Sequence, residues 1–302
     1  MTENKNQGLQ NIRQIFWFMS FWLGSSIFAI LVMQTIAKGM GISDWQYLIQ
    51  EMNKGKLLEY INHIKIISIA GHLCTYTLTA ISFAYFLQKN KCFQYLEFRS
   101  IKKYINLIII PLSIILVYPI ALWVAYLNIK IIPSDWIAEN TLVFEQRLMQ
   151  MNTAIDFILN LVLIGFVAGI GEELIFRGII QKLITQLSKN FHVAIWGSAL
   201  LFSLIHFQPE GFIPRLVLGA LFGYILIWTG NIIYSILSHI IFNSLQVVIF
   251  YLFNDNTIDV NITQPDIPLW ITIIVTILFT FTLYLIYKIN IPYQIDKHKY
   301  IE

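Results

Sequence analysis

FILNLVLIGFVAGIGEELIFRG, residues 157–178, decides how this chain folds. About fifteen uncharged residues run from Phe157 to Gly171 and end on Glu172 and Glu173, with Arg177 four positions further on. Ionisable groups inside a membrane span cost roughly 2.5–3.5 kcal/mol each on insertion scales and persist where they pair, line a cavity or do chemistry. The rest of the chain has the same character, with 57% hydrophobic and 12% charged residues, against about 25% charged in an ordinary soluble domain.

A bilayer-spanning helix needs about 20 mostly apolar residues. Charge-free windows of that size lie near 14–37, 66–88, 104–129, 190–209 and 267–287, and a longer one from Leu216 to Asn254 divides at the turn signal Thr229-Gly230-Asn231. With the helix leading into the glutamates, the expected fold is all-α: a polytopic membrane helix bundle of about eight transmembrane helices. The chain divides into N-terminal spans and connections (1–150), a helical core (151–254), and a last span with a short tail (255–302). The first span is read as an uncleaved anchor, because its apolar stretch is longer than a secretory core and no small-x-small site follows. Cys74 in a span and Cys92 in a polar loop suggest neither a disulfide framework nor a zinc cluster.

Lys89, Lys91, Arg99, Lys102 and Lys103 cluster in one connection, and Lys288, Lys297 and Lys299 in the tail. The positive-inside rule makes both cytoplasmic. Eight spans then put the N-terminus inside as well, in accord with Lys5 and Arg13, and the loop bearing Asp255, Asp259 and Asp266 outside. A net charge of +3 carries no further signal, and no nucleic-acid partner is expected. Ser43-Asp44-Trp45 and Ser134-Asp135-Trp136 predict short interfacial helices in the two outer connections, with Ser or Asp as caps and Trp at the headgroups.

Three polar patterns follow Asp156: Glu172-Glu173-x-x-x-Arg177, Phe202-x-x-x-His206 and His239-x-x-x-Asn243. A step of four returns to nearly the same helix face, so Glu173 is the partner for Arg177 and Glu172 is left unpaired by its own helix. Glu172 is therefore a candidate general base. His239 and Asn243 share a face and can aim an imidazole and an amide at one point, as oxyanion donors do. Phe202 can pack beside His206. With turns taken near Lys182, Asn190 and Asn231, a rise of 1.5 Å per residue places Glu172 about 15 Å, His206 about 24 Å and His239 about 12 Å deep. Gly165-x-x-x-Gly169 and Gly219-x-x-x-Gly223 would let these helices approach closely. His63, His72 and His192 are read as interhelical hydrogen-bond donors. A purely structural polar network is the alternative reading of all three patterns.

This ordered triple, EExxxR, FxxxH and HxxxN, resembles the CPBP family of intramembrane proteases, also known as the CAAX prenyl endopeptidase, bacteriocin-processing or Abi family. The resemblance covers roughly 155–250. It implies a multi-pass cell-membrane endopeptidase with a water-filled cavity open to the cytoplasm and a membrane-associated peptide or protein as substrate, and the composition, rich in Ile, Asn, Lys and Phe, fits an AT-rich bacterial genome. It also implies that Glu172 activates water together with His206, that His239 and Asn243 form an oxyanion hole, and that Glu173 and Arg177 support the site. No cofactor is expected; zinc, held by Glu172, His206 and His239, is the alternative. Relatives are associated with peptide export, self-immunity and sensor kinases, so a transporter or kinase partner is expected. The competing class is a non-catalytic membrane scaffold or immunity protein that binds a toxin, a receptor or a sensor kinase.

Overall fold

The computed structural model describes residues 2–42, 57–137, 139–253, 265 and 267–298. Nine helices organise them. α1 is Thr2–Gly39, and α2 comprises Leu57–His72, a π-helical stretch Leu73–Leu78 and Thr79–Gln88. α3 is Asn106–Ile131, α4 is Glu139–Met149, and α5 runs through Ala154–Ser188 with π-helical stretches at Leu161–Ala168 and Phe176–Ile180. α6 is Phe191–Leu204, α7 is Phe212–Thr229, α8 is Ile232–Phe253 and α9 is Leu269–His298. Among the described residues there is no strand.

Seven of these helices are long and apolar enough to cross a membrane. The eighth apolar helix, α6, has only 14 residues, about 21 Å at the α-helical rise. It falls short of its predicted window because Gln208-Pro209 follows: proline disfavours helix in the residue before it, and Phe207 turns away at φ 52°. α6 packs between α5 and α7 nonetheless, so eight apolar helices form the bundle.

α5 begins at a capping box. The Thr153 hydroxyl accepts from the Asp156 backbone N–H at 3.2 Å, and Asp156 Oδ2 accepts from the Thr153 N–H at 2.9 Å. The expected turn near Lys182 is absent. α5 continues to Ser188, since nothing before Lys189 breaks it and the Lys182 cation is taken up by Glu97 at 3.1 Å and the Tyr95 carbonyl. The turn after it uses Lys189 in a left-handed conformation, and Asn190 Oδ1 caps α6 by accepting from His192 N–H at 2.8 Å. The predicted break at 229–231 is present: Gly230 ends α7 at φ 66°, where glycine carries no Cβ penalty. Asn231 ties that turn to the 92–99 connection by donating to the Arg99 carbonyl at 2.7 Å.

Both glycine pairs sit at close approaches. A Cβ on Gly169 would lie 3.1 Å from the backbone nitrogen of Ile240 on α8, and one on Gly165 would meet Ser244 Oγ at 2.5 Å. On α7, a Cβ on Gly219 would lie 3.3 Å from the Ala199 Cα of α6, and one on Gly223 would meet Gln181 Oε1 at 2.8 Å. α5, α6, α7 and α8 are thereby drawn together around the predicted polar groups.

Of the two expected interfacial helices, Ser134–Trp136 forms a single 3₁₀ turn and the amphipathic α4 follows it. Ser43-Asp44-Trp45, Asp255, Asp259, Asp266 and Lys299 lie outside the described residues. Cys74 and Cys92 are free thiols. On α4, burial and the nearby Glu210 push the Glu145 carboxyl up to about 7, against the pull of Arg215. A carboxyl whose folded pKa is raised favours the folded state when protonated, so its contribution is lost as pH rises from about 4.5 through 7. The melting temperature of wild type relative to Glu145→Gln should therefore fall between pH 5 and pH 8. A difference independent of pH would contradict this.

Candidate active site

The site is built on α5 between its two π-helical stretches. Wide turns of this kind shift the side-chain register and are frequent at functional positions. They flank Gly169–Ile175, which carries both glutamates.

Glu173 and Arg177 form the predicted ion pair, Oε1 to Nη1 at 2.8 Å, and are 0% and 1% exposed. Glu173 Oε1 also accepts from His239 Nδ1 of α8 at 2.9 Å. Arg177 Nη2 donates to the Gly219 carbonyl of α7 at 2.8 Å. Its guanidinium lies 5.0 Å from the Phe202 ring of α6 and 5.6 Å from the Phe222 ring of α7. One buried pair thus ties α5 to three neighbouring helices.

Glu172 differs in access and in partners. It keeps 9% exposure. Its Oε1 lies 3.3 Å from His72 Nε2 on α2, and its Oε2 lies 3.6 Å from His239 Nε2. Its own helix supplies no partner, as expected, but two other helices do. Gly171 makes room for one of them: a Cβ there would meet the His72 ring at 3.0 Å and Tyr76 Cβ at 2.9 Å.

His206 stands just beyond the end of α6 rather than on it. Its Nδ1 is 2.7 Å from the Phe202 carbonyl. A carbonyl only accepts, so Nδ1 carries the proton and caps the helix end. The ring lies edge-on to Phe202 at 5.0 Å, and Phe202 in turn lies 5.8 Å from His239. Asn243 is one turn from His239 on α8, and its amide donates to the Ile164 carbonyl at 2.9 Å, within the first π-helical stretch of α5. One amide hydrogen is thereby committed and the other is left to donate. Arg177, Glu173, His239 and Glu172 form a connected series of contacts, whereas His206 packs on Phe202 and Asn243 is tied to α5.

These hydrogen bonds define the imidazoles. Glu173, ionised against Arg177, accepts at His239 Nδ1, so the neutral His239 ring presents a lone pair at Nε2 and only the protonated ring presents a donor there. The same logic leaves a lone pair on Nε2 of neutral His206. Among the described residues no group of three or more His, Cys, Asp or Glu side chains is arranged to hold a metal ion. Glu172, His206 and His239 therefore do not fit a His₂Glu zinc set as they stand.

Of the other histidines, His192 Nδ1 reaches the Tyr224 hydroxyl of α7 at 2.8 Å and His63 packs near Tyr60 on its own helix. His72, placed with them on sequence grounds, instead belongs to the site. The sequence signal was Gly171 beside the glutamates, a small residue that admits a side chain from elsewhere.

Beside the site runs an apolar cavity of about 1140 Å³, lined by Phe18 and Trp22 of α1, Phe176 and Leu183 of α5, and Ile205 and Phe207 at the end of α6. Phe176 and Ile205 are sequence neighbours of Arg177 and His206. Glu172, His206, His239 and Asn243 do not line it.

Fold and site together define a polytopic helical membrane protein with an internal carboxylate–histidine centre. Residues 154–245 match the family model described as type II CAAX prenyl endopeptidase Rce1-like. This segment, less than half of the chain, is similar to that family of CAAX-type endopeptidases. The match takes in Glu172 through Asn243 and leaves out His72. No curated protein and no solved structure matches the chain.

Proposed function

We propose that this chain is an intramembrane endopeptidase in which Glu172 takes a proton from water as that water attacks a peptide carbonyl. The observation that carries this reading is Glu172 itself. It is the more accessible of two adjacent carboxylates, its two oxygens face histidines of two different helices, and it lies within the segment shared with the protease family. Its neighbour Glu173 is fully buried, and its Oε1 is taken by both Arg177 and His239. Nε2 of His206 is an acceptor able to orient the water with Glu172. His239, which donates from Nε2 when doubly protonated, and the free amide hydrogen of Asn243 are the donors proposed for the oxyanion of the tetrahedral intermediate. On collapse, the proton held by Glu172 passes to the leaving amine.

The substrate is a membrane-associated peptide or protein. The apolar cavity beside Phe176 and Ile205 suits a lipid-embedded portion of it, and a prenylated C-terminal peptide is the first candidate given the family description. The basic groups Lys89, Lys91, Arg99, Lys102, Lys103, Lys182 and Lys288 gather toward the end of the bundle that holds the 229–231 turn, which favours that end and both termini in the cytoplasm. The role fits bacterial peptide processing or bacteriocin self-immunity, with a peptide transporter or sensor kinase as partner.

Comparative peptidomics of membranes carrying wild type or Glu172→Gln tests the reading. A membrane-associated peptide whose terminus changes between the two is expected, and identical peptide populations would count against it. The chemistry is checked separately with a chelator, which should leave cleavage within about twofold because no metal enters the proposed step. Stoichiometric zinc, lost together with activity in His239→Ala, would contradict that.

A further inference from the structure

We infer that His72, contributed by α2 from outside the family-matched segment, is a positioning residue that holds Glu172 so that one particular oxygen acts as the base. The inference rests on the endopeptidase reading above. His72 Nε2 lies 3.3 Å from Glu172 Oε1. The opposite ring nitrogen, Nδ1, is buried without a hydrogen-bond partner. A proton on Nδ1 would be an orphaned buried donor, which is costly, so the ring carries its proton on Nε2 and donates it to the carboxylate. Oε1 is thus occupied. Oε2 is the oxygen turned to His239, at 3.6 Å, where a water would meet the histidine side of the site.

Three features keep the imidazole in place. The Tyr76 ring stacks on it, with centroids 4.2 Å apart and planes 13° from parallel. His72 and Tyr76 flank the start of the π-helical stretch Leu73–Leu78, packed against the part of α5 that carries Glu172. Gly171 supplies the space, since a Cβ there would meet the His72 ring at 3.0 Å and the Tyr76 Cβ at 2.9 Å. A carboxylate free to rotate would present either oxygen to the water; one tethered at Oε1 is already aligned, and alignment of this kind acts on kcat.

The test uses the purified full chain in lipid bilayers and a fluorogenic farnesylated CAAX peptide as probe. His72→Leu, which keeps an apolar body against Tyr76 but removes the donor, should lower kcat about 10- to 100-fold with KM within about twofold, the range for one hydrogen bond to a charged group. His72→Gln retains an N–H donor and should recover activity to within about fivefold of wild type. A second readout does not need turnover: with ¹³C-labelled glutamate, the Glu172 carboxylate infrared band, identified by its absence in Glu172→Gln, should shift in His72→Leu and stay near the wild-type position in His72→Gln. Equal losses in His72→Leu and His72→Gln, an unchanged kcat in His72→Leu, or an unmoved band would each overturn the role of His72. If the probe is not cleaved by wild type, or is cleaved undiminished by Glu172→Gln, the endopeptidase reading falls and the catalytic role of His72 with it, while the band still decides whether the contact exists.

Discussion

Arg177→Leu is expected to destabilise the bundle by about 3–5 kcal/mol, the usual cost of stranding one partner of a buried ion pair. Glu173 would be left as the stranded charge, fully buried among α5, α7 and α8. The same substitution removes the donor to the Gly219 carbonyl and the cation held between the Phe202 and Phe222 rings. These losses fall on two neighbouring helices, α6 and α7, so the effect should be cooperative rather than local. Replacing both partners by neutral groups, Arg177→Met with Glu173→Gln, removes the stranded charge and should recover part of the stability. Thermal denaturation of the purified variants in lipid or detergent checks both statements. A single variant that melts with wild type, or a double variant that melts below the single one, would show that the pair does not have this role.

Glu172→Gln should behave in the opposite way, with activity lost and the fold kept. The amide preserves volume, and its oxygen can still accept from His72 Nε2, so the contact at 3.3 Å survives. What disappears is the ability to take a proton from water. Removing a general base typically costs 10²- to 10⁴-fold in rate, about 3–5 kcal/mol of transition-state stabilisation. The contrast between the neighbours follows from their surroundings: Glu173 is locked by Arg177 and His239, while Glu172 keeps an oxygen facing the space beside His239.

The parts of this arrangement that depend on one helix, or on two helices touching through small residues, were legible in the sequence. The four-residue step gave the Glu173–Arg177 pair, and the two Gly-x-x-x-Gly patterns marked helix contacts that the structure contains. Thr229-Gly230-Asn231 marked the turn between α7 and α8 because a left-handed residue is cheapest as glycine. What periodicity missed has two physical causes. The first is the π-helical backbone, in which 3.6-residue arithmetic fails over Leu161–Ala168, Leu73–Leu78 and Phe176–Ile180. It is within the first of these stretches that a carbonyl takes up the Asn243 amide. The second is long-range assembly. His72 stands 100 positions before Glu172, and no local pattern joins them; Gly171 alone recorded that something had to fit there. His206 was misplaced on α6 although Pro209 was in view, because the apolar run continues to Phe207 after the backbone has already left the helix.

The role proposed for Glu172 is that of the base in peptide-bond hydrolysis. Its most direct test is the initial rate of cleavage of one membrane-associated reporter peptide by purified wild type and Glu172→Gln, compared at matched melting temperature. Wild type should release the product, and Glu172→Gln should do so at least about 100-fold more slowly while melting alike. Undiminished cleavage by a well-folded Glu172→Gln protein would contradict it.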